Sequence, residues 1–94
     1  MIAMPSISLF LGIVISMYAE KNGKHHLPHI HATYGEEEAV FEIPSGEVLE
    51  STQSFPRNKR RAVQTWVDMR QEDLMADWAL AEKGLRVKDI KPLE

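Results

Sequence analysis

Cysteine is absent from the 94 residues. That excludes disulfides, thiolate metal sites and thiol catalysis, and it fits a reducing cytoplasm. A long hydrophobic run is also missing. The most apolar stretch, Ile7 to Tyr18, is about twelve residues long and broken by Ser8, Gly12 and Ser16, too short to span a bilayer. No Lys or Arg precedes it, so it lacks the charged front of a signal peptide. Excess charge of one sign is lacking too. The formal net charge of −3 argues against a general nucleic-acid-binding protein and leaves a local basic patch as the only route to that function. Glycine-rich phosphate loops, low-complexity linkers and internal repeats do not occur. The hydrophobic content of 44% is that of a globular chain able to bury roughly two-thirds of its unfolded surface.

All four histidines fall between His25 and His31, at the head of a segment with hairpin character. His29 to Tyr34 and Glu37 to Ile43 alternate in polarity around Gly35-Glu36, which suits a two-residue turn with Gly first. That turn pairs His29 with Glu42, His31 with Val40 and Thr33 with Glu38. One face then carries Ile30, Ala32, Tyr34, Ala39, Phe41 and Ile43 as core, and the histidines lie opposite. Upstream, Ile7 to Leu11 and Ile13 to Ala19 read as strands, with Gly12 a bend or bulge. Asn22-Gly23 is a hairpin signal, which in simple register sets Ile15 beside Ile30 and Val14 beside His31. Pro44-Ser45-Gly46 turns the chain into a short strand, Glu47 to Ser51.

Beyond Ser54, a candidate N-cap, the period becomes helical. Val63, Trp66, Val67, Leu74, Trp78 and Ala81 form one stripe, interrupted at Arg70. A single bent helix is favoured over two helices broken near 68–71. Gly84 suits the position after the helix end. The expected fold is a single α+β domain: a mostly antiparallel meander of about four strands (6–51), with one face packed by a C-terminal helical segment (54–83). A frayed start (1–5) and an extended tail (85–94) flank them.

Candidate sites follow from these placements. His29 and His31, at i and i+2, point the same way about 7 Å apart. With Glu42 as a third ligand they could hold one divalent transition metal ion, or act as general acid and base. The competing reading lines them along an exposed or partner-facing surface, paired with Glu38 and Glu42. His25 and His26 read as solvated loop residues. Arg57, Lys59, Arg60 and Arg61 at the helix start oppose the macrodipole, so they point to a phosphate or acidic partner, or to a solvated basic face. Trp66 and Trp78 differ by about 120° around an ideal helix. One of them, taken as Trp66, is left for an interface together with Val14 and Val40 on the second sheet face.

Several stretches carry a resemblance to a known family. They are Met4-Pro5-Ser6-Ile7-Ser8, Phe10 to Ile15, Met17-Tyr18, Pro28-His29-Ile30-His31-Ala32, Tyr34-Gly35, Ala39-Val40, Trp66, Trp78 and Ile90-Lys91-Pro92-Leu93. On these the chain resembles the small bacterial domain-of-unknown-function family numbered 4160. The Lys21 to His26 insert departs from that pattern. The resemblance implies a stand-alone bacterial or phage-encoded protein made beside a second small protein, in a toxin–antitoxin-like or regulatory pair. It supplies no catalytic residue. Two function classes stand at this point: a cytoplasmic interaction module, acting with that neighbour or as a homodimer, and a histidine- and carboxylate-dependent hydrolase or ribonuclease.

Overall fold

Alternating polarity closes the N-terminal half into hairpins, and the computed structural model describes residues 5–19 and 27–93. The expectations for the frayed start, for Asn22-Gly23 and for His25 and His26 therefore concern residues that, Pro5 apart, lie outside the described ones. The strands β1 (Ser6–Phe10), β2 (Ile13–Ser16), β3 (His29–Tyr34), β4 (Glu37–Glu42) and β5 (Val48–Ser51) form one antiparallel sheet in sequential order. The sheet has one strand more than the expected four. Leu11 and Gly12 both take positive φ, 52° and 77°, which makes a tight turn between two strands where a bend was expected. The bulge lies earlier, between Ser6 and Ser8.

The β3–β4 hairpin has the expected register, with His29 opposite Glu42, His31 opposite Val40 and Thr33 opposite Glu38. Gly35 takes φ 60° at the first turn position. The β2–β3 offset differs by two residues from the expected one: Ile15 meets Ala32 and Ser16 meets His31. A shift of two leaves every side chain on its own face, so the core survives the error. The observed offset also brings Tyr18 over His31 with ring centroids 4.5 Å apart, a contact the simple Asn22-Gly23 register would not give.

Two helices follow, α1 (Arg57–Met69) and α2 (Gln71–Glu82). The favoured single helix is thus corrected to a pair broken at Arg70 (φ −115°, ψ 28°). The break has a packing reason. A straight helix could not turn Trp66 and Trp78 to one core, yet they are only 0% and 5% exposed. Gln71 secures the joint by donating to the carbonyls of Ile43 and Val67, and Glu72 and Asp73 suit the new N-terminus. The start of α1 also differs from expectation: Pro56, not Ser54, occupies the N-cap position, and no side chain caps it. At the other end Leu85 N–H donates to Leu80 and Gly84 N–H to Ala81, with Gly84 at φ 72°, the Schellman arrangement.

Ile13, Ile15, Ile30, Ala32, Phe41 and Ile43 meet Val63, Trp66, Leu74 and Trp78 in the core. Residues 85–93 then run back without helix or strand. They are fastened where Ile90 N–H donates to Ile7 (2.7 Å) and where Trp66 Nε1–H donates to the Lys91 carbonyl (2.8 Å).

Candidate functional site: a histidine–aromatic stack behind a groove

Strand alternation puts His29 and His31 on the sheet face opposite Ile30 and Ala32. An exposed or partner-facing position was one expectation, but His29 is 0% and His31 5% exposed. Both rings belong to an aromatic stack. His29 lies against Trp78 of α2 (centroids 5.1 Å) and edge-on to His31 (5.2 Å). His31 in turn stacks on Tyr18, with the planes 11° apart. His29 Nδ1 lies 2.6 Å from the Leu27 carbonyl. A carbonyl only accepts, so Nδ1 carries the proton and the ring orientation is fixed. His31 Nδ1 approaches Glu38 Oε1 at 3.5 Å, across the diagonal of the hairpin.

Of the expected His29–His31–Glu42 constellation, the two rings are in contact and Glu42 is the cross-strand partner of His29. Glu42 closes the next turn: its carboxylate accepts the Ser45 hydroxyl, and its carbonyl accepts Gly46 N–H at 2.8 Å. Among the described residues no three His, Asp or Glu side chains are grouped to hold a metal ion, so a metal site built on His29, His31 and Glu42 is not what the geometry offers. The interface residues divide as well. Val40 and Trp66 are buried at 4% and 0%, which removes them from an exposed contact surface, while Val14 is 37% exposed. In the basic cluster Arg57 and Arg61 are exposed and Arg60 half-buried. Lys59 sits 5.3 Å from the centre of the Tyr34 ring, a cation–π contact that gives this cation an intramolecular role.

Concavity lies elsewhere. A groove of about 770 Å³ opens between Met17, Tyr18 and Ala19, which continue β2, and Ala81 with residues 84–89 behind α2. Met17 is fully buried at its floor, Arg86 and Lys88 are exposed on its rim, and Tyr18 both lines it and stacks on His31. The histidines do not line this groove. They lie behind Tyr18.

Asp77 escaped the sequence reading. It is 3% exposed; Oδ1 accepts the Lys88 N–H at 3.0 Å, and Oδ2 finds no partner among the described residues. Its place between Leu74, Trp78 and Ala81, at three- and four-residue spacings, was the available signal. Burial pushes its carboxyl above the ordinary carboxylate value, with Asp73 and Asp89 adding to the rise and the Lys88 N–H and charge opposing it. Folding therefore favours the protonated form. The stability Asp77 contributes is fully present below its unfolded value near 3.8 and is lost as pH rises through the raised native one. Asp77→Asn, which keeps an acceptor for Lys88 without the charge, should gain stability relative to wild type as pH climbs from about 4 to 7. Urea melts at the two pH values check this; a wild type that gains instead would reverse the assignment.

Comparison with known proteins places this chain in a family. The model of the family described as "Domain of unknown function (DUF4160)" matches residues 12–79. No curated protein and no solved structure matches. The matched span contains Tyr18, His29, His31 and Trp78 and stops short of the 84–89 wall of the groove. The chain belongs to the DUF4160 family, whose function its description leaves open.

Proposed function

We propose that this protein is a small cytoplasmic binding module, one member of a two-protein pair of the toxin–antitoxin-like or regulatory kind, whose groove receives an extended segment of its partner. The observation that carries this reading is the groove itself, walled by Tyr18 and Ala81 and floored by Met17. An apolar floor beneath a polar rim has the composition of a recognition surface. The histidine–aromatic stack supports its wall from behind. The hydrolase reading needs His29, His31 and Glu42 on one concave surface; the burial of both rings and the Ser45 hydrogen bond to Glu42 favour the binding reading over it.

Ala81→Arg places a long cation in the groove. If the paired partner is a small protein encoded next to this chain, as the family resemblance implies, the co-expressed wild-type chain is expected to co-purify with it in a stable complex, and Ala81→Arg to bind about ten-fold more weakly or worse with its thermal melt retained. An unaltered affinity would remove the groove from the contact. Phosphodiester hydrolysis by the purified wild type, abolished in a folded His31→Gln variant, would establish the enzymatic alternative in its place.

A further inference from the structure

The sheet ends in two edges of opposite character. Beside β5, Glu47 and Glu50 are exposed, and charge is the usual guard of an edge strand. Strand β1 carries no charged residue at all, and neither does β2. The tail hydrogen-bonds this edge at Ile7, through the Ile90 N–H, and Asp89 and Pro92 border a shallow concavity with Ser8, Leu9 and Val14. Further along the strand, the two-residue turn at Leu11-Gly12 makes Phe10 and Ile13 the hydrogen-bonded pair. Leu9 and Val14 are then the non-bonded pair, and the Leu9 N–H and C=O point out of the sheet edge. The side chains match the backbone: Leu9 is 64% exposed, Leu11 57% and Val14 37%. Leu11 holds φ 52°, a conformation that costs a bulky residue free energy and that Asn or Gly would adopt more cheaply. Leu9, Leu11 and Val14 together leave an exposed aliphatic corner beside an uncharged strand edge.

We infer that the occupant is a second copy of this chain, paired β1 to β1 antiparallel about a two-fold axis at Leu9. A two-fold interface sets a surface against itself, so it tolerates no concentrated charge. Ser6–Phe10 meets that condition, whereas β5 would bring Glu50 towards its own copy. The two Leu9 residues exchange a pair of backbone hydrogen bonds, and Leu9 and Val14 of both copies form one aliphatic row across a ten-stranded sheet. The partner strand turns away at its own Leu11, so the pairing spans Ser8 to Phe10 and stops short of the tail's hydrogen bond at Ile7. Of this strand only Ser6, at its far end from the hairpin tip, lines the groove; the axis at Leu9 lies three residues away.

Sedimentation equilibrium on the full chain, from micromolar to millimolar concentration, is expected to show a monomer–dimer equilibrium. Leu9→Lys, which sets two cations together at the axis, should weaken it about ten-fold or more, with an unchanged thermal melt. Hydrogen exchange at the Leu9 amide should slow as concentration rises. Ala81→Arg should leave the dimer intact, so failure of this inference and failure of the groove reading are told apart. A chain that stays monomeric throughout, or a dimer indifferent to Leu9→Lys, overturns the inference. So does a monomer whose complex with a different protein is the species lost on that substitution.

Discussion

Phe41→Asp is expected to leave no cooperatively folded protein. Phe41 is fully buried on β4 and meets Phe55 with ring centroids 6.4 Å apart. Removing the ring costs about 3–5 kcal/mol in lost burial and cavity. A carboxylate in the same place adds several kcal/mol more, or takes up a proton at similar expense. Together these reach the roughly 5–15 kcal/mol by which a small domain is stable. One position away, Glu42 faces the other side of the sheet and its carboxylate accepts the Ser45 hydroxyl. Glu42→Ala should cost about 1 kcal/mol. Urea denaturation of the two variants makes the comparison, and equal damage from both would mean that the hairpin faces are assigned the wrong way round.

The contrast between those neighbours rests on what was legible in the sequence. Period-two alternation around Gly35-Glu36 is local information, and it yields both the β3–β4 register and the core face of the hairpin. Gly84 is legible for the same reason, because a left-handed residue after a helix favours glycine. What could not be read locally depended on contacts between distant segments. The β2–β3 offset is tied to the Tyr18–His31 stack, and no turn signal encodes it. The helix break at Arg70 answers a demand from Trp66 and Trp78 that appears only once both must reach one core. Spacing alone shows that the two tryptophans conflict on one straight helix and leaves one of them for an interface. The burial of the histidines is the least legible feature: alternation puts His29 and His31 opposite Ile30 and Ala32, and only the distant Trp78 of α2, packed against His29, makes that position an interior one. The groove is invisible in the sequence because its walls, Met17 to Ala19 and residues 84–89, are separated by most of the chain.

His29→Ala separates a structural histidine from a reactive one. If His29 were an exposed ligand or a general base, its truncation would change stability by no more than about 0.5 kcal/mol. Instead the ring is fully buried against Trp78 and His31 and its Nδ1–H is given to the Leu27 carbonyl. Truncation therefore leaves a cavity and an unsatisfied acceptor, worth together about 2–4 kcal/mol. In a chain of this size that is a fall in melting temperature of roughly 10–25 °C. Two further variants divide the loss. His29→Phe keeps the aromatic packing and forfeits the donor, whereas His29→Asn keeps a donor near Nδ1 and forfeits the ring. Packing against Trp78 is the larger contribution, so the order of stability should be His, Phe, Asn, Ala. A His29→Ala protein that melts like wild type but no longer binds its partner would contradict this, and would return the imidazole to the functional site as a group that touches the ligand.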